Sequence, residues 1–459
     1  MAKIYENTKL YLIIKKYIAW SFKQYFSEIT IKGLEHIPKE EPVILAPNHQ
    51  NALLDALAML TLPPFEQPKV FLARSDLFKL PESIVGFLKF AKIMPAFRIR
   101  DGYENLAKNQ ASFATADEAL LNNAAMCVMP EGNQELERKI RPLVKGIFRI
   151  AFGAQEKMPK GKSVHIIPVG MDYGDYIYPG AHLIINIGEP IKVADFMDRY
   201  QDNQAKGLNV IKDKLYQSLK DLTLDLASDN YYESFNIAVE ACQPESLLLL
   251  NLEDNAYNQL IARMHTAKQL VAMETNATKE EMNAFDHLCK RYKKGMQKIK
   301  IDTKTLIQTK PGIFKTILNH AAIILNTLLL LPGLIFNLIP VTLISIIPKL
   351  MKIKFIGFYS SVYYVASIVI LPIFYLIQAI IINSIFGFPW WMLIVLIPLQ
   401  YQFGKLALLL SKKIKSLWKM MRLSNLYRKK RTELEELKDL KKRIVHIIFK
   451  KASRIQQNE

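Results

Sequence analysis

The pattern of apolar and polar positions divides this chain into five stretches. In residues 8–26 (TKLYLIIKKYIAWSFKQYF), Tyr, Leu, Ile, Trp and Phe are broken up by Lys9, Lys15, Lys16 and Lys23. That alternation predicts an amphipathic helix with a basic side, of the kind that lies on a membrane surface. Between residues 27 and 200, EITIKGL, PVILAP, KVFLAR, AAMCVMPEG, VHIIPVGM and HLIINIGEPI read as strands, and DALAMLTL and ESIVGFLKFAK read as helices. Short apolar runs bounded by Pro and Gly, with helices between them, predict an α/β fold with a sheet covered by helices. Residues 201–310 are polar, lack strand-like runs and carry helical patterns such as IKDKLYQSLKDLTLDLA.

The fourth stretch has almost no charge. The 33 residues Thr316–Pro348 and the 50 residues Phe355–Gly404 contain no Asp, Glu, Lys or Arg. Runs of this length are typical of bilayer-embedded segments. Pro332-Gly333 interrupts the first run with a strong turn signal and predicts a hairpin that dips into the membrane and returns. Lys349, Lys352 and Lys354 then stay on the inner side, in keeping with the positive-inside tendency. The second run has room for two spans, with Phe386–Trp391 as the outer turn. The last stretch is basic. Residues 411–459 hold 16 Lys/Arg against 5 Asp/Glu, and TELEELKDLKKRIVHIIF has an apolar stripe.

Composition sharpens this division. The chain has 459 residues, 50% of them hydrophobic, and a formal net charge of +19. The hydrophobic content excludes a disordered protein. Three scattered cysteines exclude a disulfide scaffold or a zinc ribbon. The basic excess points to an anionic partner, and its concentration beside the uncharged runs favours anionic membrane lipids. No nucleic-acid motif is present, so nucleic acid is not an expected partner.

Four blocks carry candidate chemistry. In PVILAPNHQNALLDAL, His49 follows a strand, and Asp55 lies in the helix that begins after it. Ligands of open α/β sheets bind at such strand ends, and a His–carboxylate pair is equipped for general-base work. In PAFRIRDG, Arg98 and Arg100 at i, i+2 share a face if extended, and paired guanidiniums suit a phosphate. In MPEGNQ, Glu131-Gly132 forms a turn where a ligand can approach the backbone, and Lys145 follows at the start of a predicted helix. In IIPVG, Pro168 interrupts a strand and predicts an edge or a bulge. A capping turn, a solvated strand edge or a simple Pro-Glu-Gly turn would explain single blocks. The chain has no Gly-x-Ser-x-Gly elbow, Gly-rich phosphate loop or His-Glu-x-x-His pair, so a basic His49 would activate a hydroxyl of the substrate.

Together, in this order, the blocks resemble the glycerol-phosphate and lysophosphatidic acid acyltransferase superfamily over roughly residues 28–200. The resemblance implies that His49 is the general base and Asp55 its orienting carboxylate. It implies that Arg98 and Arg100 bind the acceptor's phosphate, that Glu131 and Gly132 shape the acceptor site, and that Pro168 lies near the acyl site. Two departures stand out. Five residues, not the usual four, separate His49 from Asp55, so the turn at Gln50-Asn51 has to absorb one. Asn133-Gln134 replaces the usual Thr-Arg, which leaves Arg98, Arg100 or Lys145 to supply the phosphate-binding charge. The longer spacing and the Pro95-Arg98-Asp101 block look most like fungal-type glycerol-3-phosphate/dihydroxyacetone-phosphate acyltransferases.

The expected architecture is α/β, with a mixed sheet flanked by helices in the acyltransferase domain. In order, the expected parts are an interface helix (1–27), the catalytic domain (28–200), a helical region (201–310), an α-helical membrane region (311–411) and a basic amphipathic tail (412–459). The implied reaction moves an acyl group from acyl-CoA or acyl carrier protein to a glycerol-phosphate or lysolipid hydroxyl, with no cofactor and no metal. The implied location is integral to a membrane, with catalytic domain and tail on the cytosolic side. A catalytically inactive lipid-binding membrane protein is the alternative of another class.

Overall fold

The computed structural model describes residues 3–97 and 109–455. Two units divide it: unit 1 is Met1–Asp225 with Lys354–Ser361, and unit 2 is Leu226–Ile353 with Val362–Glu459. Among the described residues unit 1 is built on eight strands: β1 (Glu28–Lys32), β2 (Val43–Pro47), β3 (Lys69–Arg74), β4 (Ile93–Ala96), β5 (Ala125–Cys127), β6 (His165–Tyr173), β7 (His182–Ile187) and β8 (Ile191–Lys192). Their order is β1-β7-β6-β2-β5-β3-β4, with β8 beside β6. The pairs are parallel except β6 with β7 and with β8, so the sheet is mixed. Every residue of β2 and β5 is buried, as central parallel strands require.

Around the sheet lie α1 (Lys9–Tyr25), α2 (Ala52–Thr61), α3 (Glu82–Phe90), α4 (Asn109–Leu121), α5 (Gly146–Glu156) and α6 (Gln204–Leu222). The core joins Ile44, Met126 and Ile166 of the sheet to Leu120, Phe148 and Ile211 of the helices. Helix α6, expected in the separate helical region, therefore belongs to unit 1: its stripe Ile211, Leu215 and Leu219 is fully buried in that core. In α1, Tyr11, Phe22 and Tyr25 are buried, while Leu10, Ile13, Tyr17 and Trp20 are exposed along one face. Lys15, expected on a basic solvent side, is buried and donates to the carbonyls of Phe65 and Gln67.

Pro168 corrects an expectation. It lies in β6, an interior strand, opposite Ala46 of β2. On the other side of β6 the partner changes at this point, from β8 at His165–Ile166 to β7 at Val169–Tyr173. No ladder N–H is needed there, and the Pro168 carbonyl accepts from Gly188 N at 2.9 Å.

Unit 2 is helical. It contains α7 (Tyr232–Leu249), α8 (Ala256–Asn276), α9 (Lys279–Ile299), α10 (Ile313–Leu350), most of α11 (Tyr359–Phe386), α12 (Leu393–Lys429) and α13 (Arg431–Ile455). Among the described residues three helical stretches, Ile313–Leu350, Ile356–Phe386 and Trp390–Lys429, are long and apolar enough to cross a membrane. The hairpin expected at Pro332-Gly333 does not form; α10 runs through it as one helix of 38 residues. Packing overrides the turn signal. A Cβ at Gly333 would stand 2.5 Å from the Phe403 carbonyl oxygen of α12, so the glycine serves a close helix–helix approach. Asn337 Nδ2 donates to the Gly333 carbonyl at 2.9 Å, and Phe336 stacks on Phe403. The tail also differs from expectation. The limit at 411 falls inside α12, and the apolar stripe of α13 (Leu434, Leu437, Leu440, Ile444, Ile448) is buried. Its neighbours are α7, α8 and α9, with Lys441 paired to Glu245 and Arg291 to Glu436.

Candidate active site

The site is assembled at the end of β2. Asn48 fastens the turn to β6: its Nδ2 donates to the Met171 carbonyl at 3.2 Å, and Met171 N donates back to its Oδ1 at 2.7 Å. His49 is then held through its backbone. Its N–H donates to Glu131 Oε1 at 2.8 Å, and its carbonyl accepts from Arg141 Nη2 at 2.8 Å. Glu131 and Arg141 are themselves bonded, Nε to Oε2, at 2.8 Å. Glu131 is buried and Arg141 partly so, and removing Arg141 would leave the buried carboxylate without its charged partner.

The side chain of His49 meets Asp55, Nδ1 to Oδ2, at 2.9 Å. Oδ2 also accepts from the backbone N–H of Gln50 at 2.9 Å and of Asn51 at 2.8 Å. Oδ1 accepts from the Tyr173 phenol at 2.6 Å. Burial, and then the charge of Asp55, push the Tyr173 hydroxyl well above its usual 10, so it remains a donor. Backbone N–H groups can only donate, which fixes Oδ2 as an acceptor and places the imidazole hydrogen on Nδ1. In the neutral ring the lone pair is then on Nε2, which has no hydrogen-bond partner among the described residues, while the side chain is 18% exposed. A buried carboxylate, an oriented imidazole and a free Nε2 are the equipment that general-base chemistry requires.

The extra residue between His49 and Asp55 is absorbed in the turn. Asn51 has φ −131° and ψ 43°, and Ala52, the first residue of α2, has φ +45°. A non-glycine residue held there costs about 1–3 kcal/mol, and persists only where its surroundings over-determine it.

The other expected site residues are placed unevenly. Arg98 and Arg100 lie outside the described residues. Before them β4 stops at Ala96, and Asn109 bonds both backbone groups of Phe97. Both carboxylate oxygens of Glu131 are engaged by His49 and Arg141, so its direct contact is with the His49 turn. Gly132 has φ +65°, and a Cβ there would come 3.0 Å from Val144, which explains glycine at this turn. Lys145 is exposed at the start of α5 and has no carboxylate partner among the described residues. Pro168 lies opposite Ala46, three residues before His49 in the chain.

The motifs did not single out Arg141 and Tyr173, or Tyr176, whose phenol donates to Gln50 Oε1 at 2.8 Å. Arg141 had a signal in the basic run after Gly132. Tyr173 had only its alternation with Met171 on one face of β6. Among the described residues, no three His, Cys, Asp or Glu side chains converge as a metal site.

Residues 28–172 match the family model described as Acyltransferase. No curated protein matches the chain. Among solved structures, the 1-acyl-sn-glycerophosphate (LPA) acyltransferase PlsC from Thermotoga maritima is similar at 20% identity and a TM-score of 0.34. That match covers 46% of this chain and 79% of the other.

Proposed function

We propose that unit 1 is an O-acyltransferase acting in glycerolipid synthesis, with His49 as general base. The observation that carries this reading is the His49 Nδ1–Asp55 Oδ2 bond of 2.9 Å, which leaves Nε2 free at the carboxyl end of β2. The family match over the same residues supports it.

In the proposed reaction Nε2 takes the proton of an acceptor hydroxyl. The oxygen attacks the thioester carbonyl carbon of acyl-CoA or acyl carrier protein. The tetrahedral intermediate collapses, the C–S bond breaks, and the departing thiolate takes the proton back from the imidazolium. Asp55 stabilises that imidazolium and keeps its orientation. The acceptor is glycerol-3-phosphate or 1-acylglycerol-3-phosphate; Arg98, Arg100 and Lys145 receive its phosphate, Glu131-Gly132 borders it, and Pro168 lies near the acyl chain. The apolar helices and the exposed face Leu10, Ile13, Tyr17 and Trp20 hold the enzyme at the membrane that receives its product, with anionic lipids meeting the basic C-terminal residues. Unit 1 faces the cytosol, where the acyl donors are.

The test is His49→Ala in the full chain, assayed in membranes with labelled acyl donors and a panel of phosphorylated and lysolipid acceptors. Loss of a general base lowers the rate roughly 10²–10⁴-fold. Near-full transfer by the variant would exclude the mechanism, and an inactive wild type on the whole panel would exclude the function. Arg98→Ala raises the acceptor KM with little change in kcat, because it removes binding remote from the reacting bond.

A further inference from the structure

The turn that carries His49 is completed by residues far along the chain. Lys354–Ser361, between α10 and the body of α11, belongs to unit 1. Ser360 and Ser361 are both buried. Ser360 Oγ donates to Asn51 Oδ1, and the Ser360 carbonyl accepts from the Tyr25 phenol at 3.5 Å. Leu53 N–H donates to Ser361 Oγ at 3.2 Å.

The bonds to Asn51 and Leu53 fall on either side of Ala52, the residue held at positive φ. Leu53 is in the first turn of α2, where backbone N–H groups have no partner inside the helix. The residue before a helix usually supplies that partner from its own side chain. Asn51 occupies the position and makes no such bond; its amide oxygen accepts from Ser360 instead. The distant serines therefore do two things that the local sequence does not. One holds the side chain of the residue before Ala52; the other caps the residue after it. Asn51 and Gln50 are also the residues whose N–H groups aim Asp55 Oδ2 at His49.

We infer that Ser360 and Ser361 are positioning residues for the His49–Asp55 pair, holding the enlarged turn in the one conformation that lets the two side chains meet. This rests on the reading of His49 as the general base. It also makes sense of the five-residue spacing: the extra residue is held by a segment lying outside the family match at 28–172.

The test uses the full chain in detergent or lipid discs, with Ser360→Ala, Ser361→Ala, the double variant, and Ser361→Thr, which keeps the hydroxyl. Two readouts are taken. Amide hydrogen exchange over residues 48–56 reports the turn without reference to any activity. Acyl-transfer kinetics report kcat and KM separately. The double alanine variant exchanges about tenfold faster over this peptide, with the rest of the sheet unchanged, and its kcat falls about tenfold or more at nearly constant KM for both substrates. Ser361→Thr retains most of the wild-type kcat. Should the double variant fail to fold, the single variants give the same pair of readings with smaller changes. Unchanged exchange at 48–56 would overturn the inference whatever the enzyme does. Faster exchange with unchanged kcat in an active enzyme would also overturn it. Faster exchange in a chain whose wild type transfers no acyl group would support the contact and count against the proposed function alone.

Discussion

Two buried tyrosines, one in each unit, donate hydrogen bonds of the same length. Tyr173 meets Asp55 Oδ1 at 2.6 Å, and Tyr375 meets Asn337 Oδ1 at 2.6 Å. Around Asp55 the donors converge from β6 and from the turn, and all of them serve the orientation of His49. Around Asn337 the partners are the Tyr375 phenol of α11 and the Gly333 carbonyl one turn back in its own helix. That arrangement satisfies polar groups inside an apolar helical region and joins two helices, with no titrating side chain at its centre. On the proposed mechanism, the two bonds differ in what their acceptor faces: Asp55 carries charge and meets the imidazole of His49, while Asn337 is neutral and meets a backbone carbonyl. Geometry alone does not separate the two cases.

The sharpest test of this contrast exchanges the charge for a neutral amide. Asp55→Asn keeps an oxygen where the Gln50 and Asn51 N–H groups require an acceptor and turns its NH₂ toward Tyr173, which accepts instead. The His49 tautomer is retained and only the negative charge is lost. Acyl transfer falls about 10²–10⁴-fold with little change in melting temperature. Asn337→Leu leaves kcat unchanged and lowers stability by about 1–3 kcal/mol, because the Tyr375 hydroxyl loses its acceptor. Equal activity losses from the two variants would erase the distinction.

A smaller effect comes from the tyrosines themselves. Tyr173→Phe and Tyr375→Phe each remove one donor from a buried oxygen, at a cost of about 1–3 kcal/mol in melting experiments. Only Tyr173→Phe slows transfer, because only its acceptor touches His49.

The smallest effect concerns buried charge away from the site. Lys69 is buried and donates to the Leu62 carbonyl at 2.7 Å and the Pro64 carbonyl at 3.0 Å. Desolvation lowers its pKa to about 7, and lowers those of Lys15 and Lys92 to about 8. Between about 7 and the ordinary value of 10.5 the unfolded chain holds more protons at Lys69 than the folded one. This lysine therefore makes stability rise with pH through that window, and its destabilising effect is greatest below it. Denaturation midpoints measured from pH 7 to pH 10 show a shallower rise in Lys69→Met than in wild type. A steeper rise in the variant would contradict the assignment.

Much of the sheet was legible because strands are short-range objects. A run such as PVILAP, bounded by prolines, reports a buried strand without reference to its neighbours. His49 and Asp55 were legible for a similar reason, as seven consecutive positions hold both partners. The missing members of the site are distant in sequence. Tyr173 and Arg141 reach the turn from β6 and from the loop before α5, about a hundred positions from their partners; a basic run marked the neighbourhood of Arg141, but no local pattern marked Tyr173 or told what either residue meets. Ser360 and Ser361 are more than three hundred positions from theirs. Pro332-Gly333 failed in the opposite direction: a sound local rule was overridden by packing that only the assembled helices provide.

By itself, the sequence determined the periodicities, the residues that can do acid–base chemistry and the long uncharged runs. These follow from side-chain properties read a few positions at a time. The tertiary structure decided which apolar stripe is spent against protein, as in α13, and which helix completes the sheet core, as in α6. It also decided how a turn one residue longer than usual still brings His49 to Asp55. That outcome depends on hydrogen bonds between segments that only folding brings together, and their partners have no local signature.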